Sequence, residues 1–150
     1  MQPFPHYYNV AAKGSATGDI ELNAAHLPGL RSASPAEFGG PGDRWSPETL
    51  LVGAIADCFI LTFRGVARAS ALAWTSLECD VTGTLDRVER ATRFVAFEMR
   101  ARLEVPDGTD IERAKMLLEK AERNCLISSS LSGHVHLNPT VEVAREALSA

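Results

Sequence analysis

Three cysteines, Cys58, Cys79 and Cys125, are the residues of this chain best suited to carry chemistry. A thiolate is a strong nucleophile and a redox centre, and the pKa of the thiol sets how much thiolate is present. The number of cysteines is odd, and the chain starts without an apolar signal core. Free or redox-active thiols in a reducing compartment fit this pattern better than a disulfide-stapled secreted fold. We therefore expect a cytoplasmic protein.

Two of these thiols each allow two interpretations. Cys58 lies in the apolar stretch 50–63 of a predicted helix, and free cysteine is among the most buried residue types, so it could simply fill the core. Cys125 falls on the inward stripe of a later helix, where that helix stops and another starts. The N-terminal end of a helix lowers the pKa of a thiol. The two cysteines are about 67 positions apart, so only the fold could bring them together.

Other candidate sites are weaker. Cys79 alternates with Leu77 and Val81 in a predicted strand, which favours simple packing. His134 and His136 share one strand face, but no third ligand is in view, so we predict no metal site. The chain has no GxGxxG segment and no P-loop, and we expect no cofactor.

Length and composition predict a single globular domain over residues 1–150. Hydrophobic residues make up 45% and charged residues 23%, as in ordinary globular proteins. The net charge is −4 without a lysine or arginine run, so nothing indicates a nucleic-acid-binding surface and we expect no nucleic-acid partner. The apolar stretch 50–63 is interrupted by Asp57 and is too short to span a membrane. It predicts a core helix, and we expect no membrane partner.

The first half of the chain predicts short strands followed by a long helix. Residues 7–12, 20–24 and 30–34 read as strands, and residues 35–45 have too many prolines and glycines for regular structure. Ser46-Pro47-Glu48 has the residue types of a helix start: a cap, a first-turn proline and a first-turn acid. The helix runs to about Ala71 and is apolar on nearly all sides through Phe63, which predicts a buried central helix.

The second half predicts a hairpin, a helix pair and a last strand. Period-two alternation marks two strands, whose core-facing residues are Leu77, Cys79, Val81 and Leu85 in the first and Val95, Phe97, Met99, Ala101, Leu103 and Val105 in the second. The charged stretch 86–93 joins them. Thr109 to Glu112 has the spacing of a capping box and starts a helix. A short second helix within 124–132 and a strand over 134–143 complete an α+β fold with a mainly antiparallel sheet.

In order and spacing, several segments resemble the OsmC/Ohr family, the osmotically inducible and organic-hydroperoxide-resistance proteins. These segments are Pro35-Ala36-Glu37-Phe38-Gly39-Gly40, Ser46-Pro47-Glu48-Thr49-Leu50-Leu51, the run from Ala54 to Phe59, and Ala121-Glu122-Arg123-Asn124-Cys125 with Ser128. The resemblance implies an OsmC-like fold, an intertwined homodimer with two active sites at the subunit interface, and a cysteine peroxidase that reduces organic hydroperoxides.

The resemblance also implies residue roles. Cys58 would be the peroxidatic thiolate, and its sulfenic acid would condense with Cys125 to a disulfide. A dithiol or lipoyl-type reductant would restore both thiols. Glu48 matches the acidic residue of the family, which positions an arginine beside the reactive thiolate.

Helix geometry limits how Glu48 could act. It lies ten residues before Cys58, which on one helix is a rise of roughly 15 Å and an angular offset of about 80°. Direct contact within one helix is impossible. Glu48 must reach the thiol from another chain or from a frayed helix start, or it is only a favourable first-turn charge.

The arginine of the family has no direct counterpart. This chain has Lys13 in the first hairpin and Phe38 in the loop, where family members carry it. Arg31 and Arg44 are nearby substitutes. We choose Arg44 as the substrate-binding candidate because it neighbours the helix start, the alternative being a solvated loop arginine.

A second departure from the family is Leu126, which follows Cys125 where the family usually has proline. The two departures leave an alternative function open: a non-catalytic protein of this fold that binds an apolar small molecule or senses redox state through Cys58.

Overall fold

The chain, in a computed structural model that describes residues 1–145, divides into two compact units. The first is Met1–Leu51, and the second begins at Val52. The first unit contains the antiparallel sheet β1 (Ala11–Lys13), β2 (Ile20–Asn23) and β3 (Leu30–Ser32), in that order. All three strands are predicted, but β1 begins at Ala11 instead of Tyr7 because residues 7–10 pair with no strand of the described chain.

The loop after β3 is more ordered than its composition predicts. It contains one 3₁₀ turn, Ala36–Phe38. A Cβ on Gly40 would lie 1.6 Å from the Ser34 carbonyl oxygen, so only glycine fits there. The loop then returns to β3, where Ser32 bridges Trp45 in parallel fashion and the Ala33 N–H donates to the Trp45 carbonyl at 2.9 Å. These contacts fix the residues that lead into the long helix.

Helix α1 (Pro47–Ala69) begins as predicted. The Thr49 N–H donates to Ser46 Oγ at 3.1 Å, and the Ser46 N–H donates to Thr49 Oγ1 at 2.8 Å, a reciprocal cap. Its buried residues recur every four positions: Ile55, Phe59, Phe63 and Ala67. By length and apolar composition alone α1 could cross a membrane, but this stripe packs in the core of the second unit. Within one chain, burial is confined to that stripe, and Leu61 is 53% exposed.

The sheet of the second unit has the order β4 (Ser76–Val88), β5 (Ala91–Val105) and β6 (His134–Val143). β4 and β5 form the predicted antiparallel hairpin, but they extend through most of the charged stretch 86–93 and leave only a tight turn. Between the pairs Thr84–Ala96 and Leu85–Phe94, Val95 of β5 has no partner, so β5 bulges there. Leu85 is exposed and not on the predicted core face. Phe94 packs against the core in place of the predicted Val95. β6 pairs parallel to β5, an orientation that the sequence did not predict.

Two helices connect β5 to β6: α2 (Ile111–Asn124) and α3 (Leu126–Ser129). The cap of α2 is Asp110, one residue later than the predicted Thr109, and its carboxylate accepts the Arg113 N–H at 3.1 Å. The predicted inward stripe of α2 is confirmed at Ala114, Leu118 and Ala121, all buried. The α+β fold with a mainly antiparallel sheet is thus confirmed, while the single domain over residues 1–150 stays a prediction.

Candidate functional site

The second unit brings Cys58 and Cys125 together. Cys58 is a half-buried residue of α1, whereas Cys125 is 0% exposed. Cys125 is the C-cap residue of α2 and the N-cap residue of α3. From this junction its side chain lies close enough to Cys58 to lower the pKa of that thiol. Two thiols that are distant in the sequence therefore lie in one site.

The surroundings of Cys58 favour its thiolate. Burial raises the pKa of Cys58, but four hydrogen bonds outweigh that effect and hold the pKa below its ordinary value. In order of effect, the donors are the Ile127 N–H, the Cys125 thiol, the Thr62 hydroxyl and the Leu126 N–H. Thr62 Oγ1 lies 3.8 Å from the sulfur, one helical turn farther along α1. Cys58 is thus the more nucleophilic member of the thiol pair.

Cys125 is shifted in the opposite direction. Burial raises the pKa of Cys125, and the hydrogen bond to Cys58 and its charge raise it further. Hydrogen bonds from the N–H and hydroxyl of Ser128 only partly offset this. The sequence predicted that the helix start lowers the pKa of Cys125. The Ser128 N–H of α3 has that effect, but burial outweighs it and the pKa of Cys125 is raised. The Leu126 and Ile127 N–H groups of α3 lower the pKa of Cys58.

Cys79 stands apart from this chemistry. It is half-buried in β4 and packs against the core, as predicted. Burial, followed by the negative charges of Asp80 and Cys125, raises the pKa of Cys79 to about 12. It is therefore a neutral thiol at physiological pH.

Glu48 lies in the first turn of α1, ten residues before Cys58. Glu48 belongs to the first unit, and the intact Ser46 cap shows that the helix start is not frayed. Its Oε2 is buried and has no hydrogen-bond partner in the described part of the chain. A buried carboxylate oxygen without a donor is costly.

Arg44, in the first unit, is not simply solvated. Its Nε lies 3.0 Å from Asp19 Oδ2, and its Nη1 lies 3.6 Å from Asp43 Oδ2. The hydrogen bond to Asp19, followed by the charges of Asp19 and Asp43, raises the pKa of Arg44. Arg44 lines a cleft of about 330 Å³ together with Arg31, Gly42, Asp43, Trp45 and Thr49. This cleft could accept a small anionic or polar group.

No metal site is found among the residues that the structure describes. His134 and His136 are exposed on β6, and no three potential His, Cys, Asp or Glu ligands converge within residues 1–145.

Comparison with known proteins decides the family. The sequence model of the family described as "OsmC-like protein" matches residues 40–140. The chain belongs to the OsmC-like family. It is also 28% identical over 106 residues to the uncharacterized protein YmaD of Bacillus subtilis strain 168, a match that covers 69% of this chain and 71% of YmaD.

Solved structures confirm the OsmC-like fold. An OsmC-like protein of unknown function from Vibrio cholerae has a TM-score of 0.80 at 13% identity, covering 93% of this chain and 100% of that one. An organic hydroperoxide resistance protein from Elizabethkingia anophelis has a TM-score of 0.75 at 21% identity, covering 95% and 100%.

Four contributors to these sites in the OsmC-like chain were not found from sequence: Thr62, Leu126, Ile127 and Asp19. Thr62 follows Cys58 by four residues, and that spacing places both on one helix face, so it was detectable. Leu126 stands where the family usually has proline, which has no N–H, and it adds a donor to Cys58. Asp19 is 25 residues from Arg44, and no local pattern links them.

Proposed function

We propose that this OsmC-like chain is a thiol-dependent peroxidase that reduces organic hydroperoxides, with Cys58 as the peroxidatic and Cys125 as the resolving residue. The observation that carries the proposal is that Cys58 and Cys125 lie in one site of the second unit, with the pKa of Cys58 lowered and that of Cys125 raised. One is prepared as a thiolate for attack, and the other remains a neutral thiol for the second step. The name of the Elizabethkingia structural neighbour, an organic hydroperoxide resistance protein, agrees with this chemistry.

The proposed reaction has three steps. The Cys58 thiolate attacks the distal peroxide oxygen, so that an S–O bond forms, the O–O bond breaks, and the departing alkoxide takes a proton to become an alcohol. The resulting sulfenic acid condenses with the Cys125 thiol to give a disulfide and water. A dithiol or lipoyl-type reductant then reduces the disulfide and is itself oxidised to a disulfide. This cycle fits a reducing compartment, and we place the protein in the cytoplasm.

A second copy of the chain completes the proposed site. Apart from its buried stripe, α1 presents apolar side chains such as Leu61, which is 53% exposed, and a second copy would cover them. We propose an intertwined homodimer in which Glu48 of one copy lies in the active site that contains Cys58 of the other copy. Light scattering on the purified protein tests this, since a monomer at micromolar concentration would contradict it.

Arg44 supplies the cation of the proposed site. When the O–O bond breaks, negative charge develops on the departing oxygen, and a positioned guanidinium stabilises it in a water-poor site. We propose that Arg44 binds the hydroperoxide in the second copy's active site.

A second candidate is a non-catalytic protein that binds an apolar small molecule or senses redox state through Cys58. The observation that favours this second candidate is that Arg44 forms ion pairs with Asp19 and Asp43. These carboxylates weaken the electrostatic attraction between the guanidinium and a bound peroxide. A reduced protein that leaves an organic hydroperoxide unconsumed over many minutes would favour this candidate.

The deciding experiment mixes the reduced protein with cumene hydroperoxide and follows the loss of peroxide and of thiols. We expect Cys58→Ser to lose at least about 10³-fold in rate, because the nucleophile is gone. Cys79→Ala is the matched control and should keep the parent rate. If Cys58→Ser consumes peroxide as fast as the parent, the proposed function is wrong.

A further inference from the structure

The ion pair between Arg44 and Asp19 is the best-defined electrostatic contact of the first unit. Asp19 Oδ2 accepts a hydrogen bond from Arg44 Nε at 3.0 Å. Arg44 Nη1 instead turns to Asp43, at 3.3 Å from its backbone oxygen and 3.6 Å from its carboxylate. The Asp19 side chain is 31% exposed and the Asp43 side chain 68%. Asp19 is therefore the closer and more shielded partner, and solvent weakens the Asp43 contact more.

Strand pairing explains why these distant residues meet. Ile20 of β2 pairs with Ser32 of β3, and Ser32 also bridges Trp45. This row crosses three chain segments, with Asp19 directly before Ile20 and Arg44 directly before Trp45. The backbone thus places both side chains within reach of each other.

The contacts of Arg44 with Asp19 and Asp43 leave one edge of its guanidinium available. An arginine has five N–H donors in a rigid fork. Asp19 engages Nε and Asp43 engages Nη1, whereas Nη2 makes no hydrogen bond to residues 1–145. Arg44 is thus fixed along one side and keeps two donors for a ligand. The sequence resemblance implies that Glu48 positions the arginine, but Glu48 Oε2 has no hydrogen-bond partner within residues 1–145.

We propose that Asp19 is the positioning residue of Arg44, holding its guanidinium so that Nη2 stabilises the departing oxygen of the hydroperoxide. The inference rests on the proposed function and adds a residue to it. Asp19 does not touch the substrate, and its effect passes through the orientation of Arg44. A misplacement of about 1 Å in such a group can reduce a rate by up to about 10²-fold.

A double-mutant cycle on the full-length protein tests this inference, with cumene hydroperoxide as substrate and dihydrolipoamide as reductant. We expect Asp19→Asn to lower kcat/KM about tenfold and Arg44→Gln to lower it at least as much. Once Arg44 is absent, adding Asp19→Asn should cause no further loss. Asp19→Glu, which keeps the carboxylate, should recover most of the rate. Asp86→Asn, at an exposed aspartate of the β4–β5 hairpin, is the matched control and should stay within about twofold.

The outcomes separate this inference from the proposed function. Equal losses from Asp19→Asn with and without Arg44 would overturn it, as would no loss while Arg44→Gln and Cys58→Ser are impaired. In both cases the peroxidase would stand. If Cys58→Ser keeps the parent rate, the peroxidase itself fails. Circular-dichroism melting of each variant identifies losses that come from unfolding, and the NMR signal of Arg44 Nε–H reports the ion pair directly by shifting in Asp19→Asn.

Discussion

Cys58 and Cys79 are both half-buried thiols of the second unit, yet their pKa values are shifted in opposite directions. Cys58 faces the start of α3, where backbone N–H groups have no partner within their own helix and are free to bind a sulfur. Cys79 lies in a strand that pairs with β5, where the ladder consumes N–H groups, and Asp80 adds negative charge. Burial opposes the thiolate in both places, so the supply of free donors decides which cysteine can react.

Alkylation should show the largest difference between the two thiols. Because the pKa of Cys79 is about 12 and that of Cys58 is below 9.0, their thiolate fractions at pH 7 differ by more than roughly 10³-fold. Iodoacetamide at pH 7, with peptide mass spectrometry, should therefore label Cys58 far faster. The Cys58 rate should rise with pH and level off above its pKa, where the thiolate is fully formed. Comparable labelling rates of Cys79 and Cys58 in the folded protein would contradict the predicted difference between the two thiols.

Removal of the resolving thiol should have the next largest effect. Cys125→Ser keeps the nucleophile, so hydroperoxide should still convert Cys58 to a sulfenic acid, detectable with dimedone. The disulfide with residue 125 cannot form, and we expect dithiol-supported turnover to fall about 10²-fold. Cys79→Ala, by contrast, should keep both the disulfide and turnover. A disulfide between Cys58 and Cys79 in the Cys125→Ser variant would show that Cys79 is not inert.

Substitution of Cys79 should affect stability and not activity. Cys79→Ser places a hydroxyl against the core and should lower the free energy of unfolding by about 1–3 kcal/mol. Cys79→Ala should lower it by about 1 kcal/mol, since it removes only packing. Urea unfolding measures both. A large loss of peroxidase activity in a folded Cys79→Ala variant would contradict the packing role.

The smallest effect should come from Thr62, whose hydroxyl is 3.8 Å from the Cys58 sulfur. Thr62→Val removes one weak donor and keeps the side-chain shape, so the pKa of Cys58 should rise slightly and alkylation at pH 7 should slow less than about threefold. Thr62→Ser keeps the hydroxyl and should match the parent pH profile. A slower Thr62→Ser variant would mean that the methyl group matters more than the hydrogen bond.

Local patterns in the sequence predict much of the fold. The alternation of β5 correctly gives its buried face from Phe97 onward, and the Ser46-Pro47-Glu48 start of α1 appears as expected. The prediction failed where one residue or one long-range contact decides the outcome. The bulge at Val95 puts Phe94 on the core in its place, and the parallel pairing of β6 depends on how α2 and α3 return the chain to the sheet. Neither leaves a periodic pattern.

The candidate site shows the same division. The sequence selects Cys58 and Cys125 as residue types, and their contact arises only when α1 meets the α2–α3 junction. The direction of each pKa shift depends on the balance between burial and the hydrogen bonds that each sulfur receives. Spacing alone cannot decide this balance, because it arises only in the folded chain. The link from Asp19 to Arg44 likewise exists only through the β2–β3–Trp45 row.

The junction at Cys125 joins α2 and α3 in a single residue. A covalent bond from there to α1 would tie three helices together and close a loop of about 67 residues. Chain-entropy arguments give such a cross-link roughly 4 kcal/mol. The oxidised protein would then melt at a higher temperature than the reduced one, so that the melting temperature would report the oxidation state of the thiol pair.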